Sequence, residues 1–196
     1  MAIPVKRNYS IDDKRAVEVL TEAFADNRSV NYVIKQDRHR LSRIRRLMQY
    51  ALATSRDFDD VWQSADRQAY ALTVLPHRKK VTTVSVRRDA SLAFAATGWQ
   101  KVYAVLRREA RIKALHPQEP FCHLWFVSVA HNSQGRGLGS LLLQELVDCY
   151  EAQQLPIYLE TSTLRNVPWY ERFVFKVYDE LNFTYPLYMM RRLINY

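Results

Sequence analysis

The stretch FCHLWFVSVAHNSQGRGLGS, Phe121 to Ser140, decides the fold. It opens as an apolar run, FCHLWFVSV, turns through AHNSQ and ends in RGLGS, directly before LLLQELVDCYEAQQ. That order predicts a strand, an anion-cradling loop and a helix. The chain has four glycines, and three of them, Gly135, Gly137 and Gly139, fall within five residues. Glycine reaches φ values and close backbone approaches that a Cβ blocks. At a helix start such a loop turns several unpaired N–H groups toward one point, where the helix dipole also favours negative charge. The stretch therefore predicts a diphosphate site. The plain alternative is a glycine-rich turn with no ligand.

Three glycine patterns compete for that diphosphate. The mononucleotide loop G-x-x-x-x-G-K-[ST] fails, because no lysine stands at the required position. The dinucleotide fingerprint G-x-G-x-x-G is weakened, because Gly135 and Gly137 are followed by Ser140 where the third glycine belongs. Glu160, near the end of the next expected strand, keeps it open as a ribose-binding acid. The third pattern, [QR]-x-x-G-x-[GA], is met in full by Gln134, Gly137 and Gly139. Here the chain resembles the GCN5-related N-acetyltransferases (GNAT), and within them the branch that includes the puromycin N-acetyltransferases. The resemblance is specific from about His123 to Phe175 and weak before residue 60. It implies that backbone amides of Gln134, Gly135, Arg136, Gly137, Leu138 and Gly139, with Ser140 in the first turn, hold the pyrophosphate of acetyl-CoA.

The 196 residues fit one domain, expected as a single acetyltransferase domain over 1–196, long enough to bury a substantial core. The net charge of +9, from 29 basic and 20 acidic residues, fits an anionic ligand or partner and equally mere solubility. Cys122 and Cys149 show no metal or redox spacing. A reduced, cytoplasmic setting is the default expectation. MAIPVKRNYS has no apolar core of a signal peptide, and no run of 18 apolar residues predicts a membrane span.

Along the chain, residues 3–9 read as a short strand, and Ser10 or Asp12 as the cap of a helix with Ala16, Val17, Leu20, Ala23 and Phe24 on its stripe. Residues 29–34 read as a break or short helical turn. A second helix over 37–55 buries Leu41, Ile44, Leu47, Met48, Ala51 and Leu52, while Arg38, Arg40, Arg43, Arg45 and Arg46 crowd the rest. Those arginines suit a solvated face better than nucleic acid, since no nucleic-acid module accompanies them. Residues 59–63 and 68–75 read as strands. Residues 79–86 are ambiguous, with a strand favoured, and helices follow at 89–96 and 99–115, divided at Gly98. The helix from Leu138 to Gln153 and the strand Ile157–Thr161 complete a parallel strand–helix–strand unit with residues 121–129. Asn166–Tyr170 starts a short helix. Residues 174–181 and 188–193 close an antiparallel pair, with Pro186 outside the last strand's bonded interior.

Acyl transfer from a thioester to an amine needs a held thioester, a donor for the carbonyl oxygen, a proton acceptor and a proton for the departing thiolate. LETSTLRNVPWYERFVF supplies the last by resemblance: Asn166 bonds the coenzyme arm, and Tyr170 is the general acid beside the sulfur. A phenol stays protonated near pH 7 and can donate. Read without the resemblance, Tyr170 is one partly buried aromatic among 12 tyrosines. Val174 stands where the family has the glycine of a Gly-Phe pair, so the turn there departs from the pattern. The resemblance also gives Val127, Ser128 and Val129 the pairing with the pantetheine arm, with the Val129 N–H on the thioester carbonyl. It makes Phe24, Asn31 and Tyr32 candidates for the acceptor wall. For the general base the residues offer Glu160, near the end of its strand, and His123, whose ring titrates near neutrality. Strict alternation puts His123, Trp125, Val127 and Val129 on one face and Cys122, Leu124, Phe126 and Ser128 on the other. Solvent is the third possibility for the base, and a satisfied core histidine the plain reading of His123. The five histidines lie too far apart along the chain for a local metal motif, so no metal is expected. No G-x-S-x-G elbow occurs.

These readings together predict an α/β, GNAT-like fold: a mixed, mostly antiparallel sheet of six or seven strands, with a parallel pair splayed at the acetyl-CoA site. They predict an enzyme moving acetyl from acetyl-CoA to a small-molecule or peptide amine by direct attack in a ternary complex. A homodimer is plausible for the resembled family; membrane and nucleic-acid partners are not expected. The rivals are a non-enzymatic acyl-CoA-sensing or nucleic-acid-binding module and a nicotinamide-dependent oxidoreductase.

Overall fold

The computed structural model describes residues 12–58, 60–78 and 99–194, together with the backbone of residues 5–7. The expected strand at 79–86, the helix at 89–96, the Ser10 cap and the division at Gly98 lie outside the described residues.

Seven strands form one sheet in the order β1-β2-β3-β4-β5-β7-β6. They are β1 (Val5–Arg7), β2 (Val61–Ser64), β3 (Ala69–Val74), β4 (Cys122–Val129), β5 (Ile157–Thr161), β6 (Lys176–Asn182) and β7 (Pro186–Arg192). All neighbours run antiparallel except β4 and β5, which are parallel. The helices are α1 (Asp13–Ala23), α2 (Arg28–Val33), α3 (Arg40–Arg56), α4 (Trp99–Leu115), α5 (Leu138–Ala152) and α6 (Val167–Glu171).

Local chemistry sets several of these boundaries. Asp12 caps α1 by accepting the Arg15 N–H at 3.1 Å, and Asn27 caps α2 by accepting that of Val30 at 3.0 Å. Of the two readings of residues 29–34, a break or a short helical turn, the structure shows the second, as the six-residue α2. Pro186 is the first residue of β7, where its missing N–H interrupts nothing.

Helices cover both faces of the sheet, which is why β4 is apolar on both sides. On one face α5 packs Leu138, Leu142, Leu143, Leu146 and Val147 against Ala69, Ala71, Cys122, Leu124 and Leu159. On the other, α1 and α3 bury Ala16, Leu20, Ile44 and Met48 against Tyr70, Leu72 and Phe126. Farther along that second face α4 brings Ile112 onto Leu181, Leu187 and Met189 of β6 and β7. A buried network ties α5 to the β2–β3 end: the Tyr150 hydroxyl donates to Asp60 and lies 3.1 Å from Thr73 Oγ1.

The centre of the sheet opens between β4 and β5. These strands pair only at Cys122↔Ile157 and His123↔Tyr158, then diverge. In the same region β4 carries a bulge. Leu72 of β3 faces Phe126 and Thr73 faces Leu124, which leaves Trp125 as the extra residue. The backbone bonds agree. The Cys122 N–H points to β5, bonding Pro156 O at 2.9 Å, whereas the Ala130 N–H points to the β3 side, bonding Gln68 O at 2.7 Å. Two even-numbered residues can point opposite ways only if one residue is inserted between them.

The bulge corrects the alternation expected from the sequence. His123 does not share a face with Val127 and Val129. Cys122 and Leu124 lie with Val127 and Val129 against α5, and Trp125 joins Phe126 on the α1–α3 side. His123 is on that second side too, bonded to Glu160.

Candidate active site

The loop from Gln134 to Ser140 lies at the end of β4, on the α5 face. Gly135 and Gly137 take φ of 76° and 79°, the left-handed region that costs a side-chain-bearing residue energy. Gly137 is the N-cap of α5, and no side chain caps that helix. Its first-turn amides are left for a ligand or solvent. Gly139 is required for a different reason. A Cβ there would lie 3.2 Å from Val129 Cγ2, tight enough that the valine side chain would have to give way, and in ordinary contact with the Trp169 ring at 3.7 Å. Trp169 Nε1 donates to Ser140 Oγ at 3.0 Å, which draws α6 against the loop.

Tyr170 follows on α6, buried between Trp169 and Phe175, with ring centroids 4.6 and 5.7 Å away. Burial pushes its phenol well above the ordinary value of 10.0. Its hydroxyl has no hydrogen-bond partner among the described residues. Asn166 is the N-cap residue of α6 and half-buried. The turn after α6 is closed by Val174 at φ 65°, a left-handed conformation that glycine adopts without strain.

Strand alternation, counted from the Ala130 N–H, sends the N–H groups of Val127 and Val129 into the gap between β4 and β5. The Ser128 N–H faces β3 instead, and its hydroxyl lies 3.5 Å from Tyr70 O. The gap is thus lined by two backbone donors, Val127 and Val129, with Ser128 between them facing the other way.

On the opposite face of the same gap lies a cluster of three side chains. Glu160 Oε1 is 2.6 Å from His116 Nε2, and Oε2 is 2.8 Å from His123 Nε2. Only 11, 15 and 12 % of the His116, His123 and Glu160 side chains is exposed. An ionised carboxylate only accepts, so both Nε2 atoms carry hydrogen and each Nδ1 is left as the proton-accepting atom. Burial alone would raise Glu160 and lower His123. The attraction of the His123 ring and the bonds from His116 and His123 outweigh it, so Glu160 is held far below 4.5. Attraction to Glu160 likewise overcomes burial and holds His123 above 6.5. The three residues offer one ligand atom each within 4.8 Å of one another, a two-histidine, one-carboxylate donor set. Each Nε2 is already matched to its own carboxylate oxygen, so we read the cluster as a hydrogen-bonded triad.

Of the three acceptor-wall candidates, Tyr32 packs in an aromatic group with Phe183 and Tyr185, centroids 5.8 and 5.6 Å away. Tyr32 and Asn31 both line a cavity of about 600 Å³ between α2, α4 and the β6–β7 turn. The Asn31 amide is engaged, donating to Ala25 O and Asn27 O and accepting from Arg40 at 3.0 Å. Phe24 packs edge-on to Phe126 at 4.9 Å, in the core beneath. A second depression of about 640 Å³ lies between α1 and α3, away from these groups. In the arginine-rich helix Arg43 is paired with Asp37 at 3.0 Å, and Arg40 reaches Asp26 at 3.9 Å.

Two residues of this neighbourhood have no local sequence signal. His116 follows α4 and is joined to Glu160 only by the packing of that helix over β6 and β7. Arg108 of α4 is 8 % exposed and donates to Tyr185 Oη at 2.8 Å, Ser29 Oγ at 2.6 Å and Glu109.

Residues 77–175 match the family described as Acetyltransferase (GNAT) family. The chain belongs to that family and is an acyltransferase. Its fold is also that of solved structures far apart in sequence. A histone acetyltransferase HPA2 and related acetyltransferase from Corynebacterium glutamicum is 21 % identical with a TM-score of 0.74, covering 100 % of this chain and 98 % of that one. Arylalkylamine N-acetyltransferase 2 from Aedes aegypti is 17 % identical with a TM-score of 0.66, covering 98 % and 99 %. The ribosomal-protein-S18-alanine N-acetyltransferase from Escherichia coli is 14 % identical with a TM-score of 0.56, covering 98 % and 94 %.

Proposed function

We propose that this chain, as one acetyltransferase domain over 1–196, moves an acetyl group from acetyl-CoA to a primary amine by direct attack in a ternary complex. The observation that carries the reading is the gap between β4 and β5. It has the Val127 and Val129 N–H groups on its rim, the uncapped start of α5 at one end, and the His116–Glu160–His123 triad on the far face.

In this reading the loop amides from Gln134 to Gly139, with Ser140, bind the pyrophosphate. Asn166 and the Val127 and Val129 amides hold the pantetheine arm, and the Val129 N–H stabilises the carbonyl oxygen as negative charge develops on it. His123 Nδ1 takes the proton that the attacking nitrogen loses, while Glu160 holds the Nε2 hydrogen and stabilises the imidazolium. The new C–N bond forms as the C–S bond breaks, and Tyr170 gives its proton to the leaving thiolate. A phenol whose pKa burial has raised is a reservoir that stays full at neutral pH.

Thiol release from acetyl-CoA across an amine library tests donor and acceptor together. Tyr170→Phe is expected to lower kcat about 100-fold with little change in the acetyl-CoA Kd. Equal turnover would remove Tyr170 from the mechanism. A folded protein showing no heat of binding with acetyl-CoA would end the reading.

A further inference from the structure

We infer that the acceptor is a small zwitterion, an amine that also carries a carboxylate, with Arg108 as the residue that receives the carboxylate. The inference rests on the transfer reading above and adds the class of acceptor.

Lys101, Ala104, Val105 and Arg108 of α4 stand at i, i+3, i+4 and i+7, one stripe of the helix. The first three line the cavity with Tyr32 and Tyr185, and the stripe continues inward through the buried Ile112 toward His116. Arg108 is the next residue inward on that stripe, buried behind the cavity wall. Tyr185 joins the two, lining the cavity while its hydroxyl accepts from Arg108 Nε. A guanidinium has five N–H donors, and the bonds to Tyr185, Ser29 and Glu109 use three. The rest of the fork has no acceptor among the described residues. Two of those three partners are neutral hydroxyls; the third, Glu109, is an ion-pair partner at Nη1, which leaves one N–H on each terminal nitrogen for an incoming anion.

The cavity mouth carries the same sign. Among the described residues Arg28 and Lys101 are the ionic ones on its wall, and no acid lines it. A polyamine or a lysine-rich peptide would be repelled there. Farther in, the sign reverses at Glu160, whose field reaches Arg108. A positive group followed inward by a negative one is the complement of a molecule whose carboxylate trails its ammonium. The fork geometry of arginine suits a carboxylate better than a single point charge would. A volume of about 600 Å³ is in the range of a small-molecule site.

The test uses matched pairs that differ only in the carboxylate: L-phenylalanine with 2-phenylethylamine, and 4-aminobutyrate with butylamine. The inference expects kcat/KM for the carboxylated member of at least one pair to exceed its partner's by about ten-fold or more, mostly through KM. Arg108→Gln should erase that preference and leave the acetyl-CoA Kd unchanged, and Arg108→Lys should restore part of it. Equal or better use of the plain amine in both pairs overturns the inference, as does Arg108→Gln weakening both members alike. The pair comparison in the unaltered protein decides the matter even if the variant fails to fold. Calorimetric binding of the same four compounds reads the cavity without turnover. A carboxylate preference in binding with no thiol released would strike the transfer reading, and with it the word acceptor, while keeping Arg108 as the carboxylate's receiver; no such preference in binding or in turnover would overturn the inference itself.

Discussion

Val174 is a β-branched residue at φ 65°, half-exposed, with its N–H bonded to Glu171 O at 2.9 Å. Such a residue is strained there, because its Cβ crowds the following carbonyl. Val174→Gly is expected to stabilise the fold by about 1 kcal/mol, the relief of strain being partly offset by glycine's greater freedom when unfolded. Urea denaturation measures it, and an unchanged midpoint would mean the strain is absent. At Glu160 and His123 the sign of the pH effect follows from the two shifts. The lowered Glu160 contributes stability above 4.5 that is lost as pH falls through its folded value. The raised His123 contributes stability below 6.5 that is lost as pH rises through its folded value. Wild type and Glu160→Gln should therefore differ most in stability between those two pH values. The groups around the pair are His116, Tyr158, Tyr178 and, on α4, Arg108 and Glu109. Turnover should rise with pH above 6.5 as the His123 ring frees Nδ1, and His123→Gln should flatten that limb. Tyr170 and Asn166 stand out in the chain because they belong to one short local motif. The approach of His116 to Glu160 and of Arg108 to Tyr185 does not, because only the docking of α4 makes it.

The start of α5 is an element-scale device. Its N-cap is a left-handed glycine, its second residue cannot carry a Cβ without shifting the Val129 side chain, and its first amides are uncapped. Gly137→Ala forces an ordinary residue into φ 79°, at about 1–2 kcal/mol. The loop can escape by shifting its amides, so the acetyl-CoA Kd should rise roughly ten-fold, as calorimetry would read. An unchanged Kd would separate the glycine conformation from phosphate binding. The helix and the strand after it were legible, since a 3.6-residue stripe and a short β-branched run bounded by Pro156 leave little choice. The bulge at Trp125 was not. An inserted residue is visible only in the register of the partner strand, and nothing in FCHLWFVSV distinguishes the residue that will be left over. Reading that run as uninterrupted inverted the placement of His123.

At the scale of the whole molecule, the two layers of helices are held to the sheet by different chemistry. The α1–α3 side is almost wholly apolar, while the α5 side adds the buried Tyr150–Asp60–Thr73 network. Tyr150→Phe leaves Asp60 without that donor in a fully buried position, and should destabilise the protein by about 1–3 kcal/mol. Thermal or urea unfolding tests this, and a neutral effect would mean that other contacts of Asp60 suffice. The parallel strand–helix–strand unit and the closing antiparallel pair were within reach of the sequence, because turn residues and changes of hydrophobic period bound them; the full order of the seven strands was not. The cavity beside α4 was not, because its walls come from three segments more than 60 residues apart. The opened seam at the sheet's centre has one further consequence. It makes the sheet a partition with a slit, and on the proposed reading the coenzyme and the acceptor come to that slit from separate rooms. Neither needs to leave for the other to arrive. An inhibitor imitating both at once would have to be drawn through the slit lengthwise, so its width there, rather than its total bulk, would decide whether it fits.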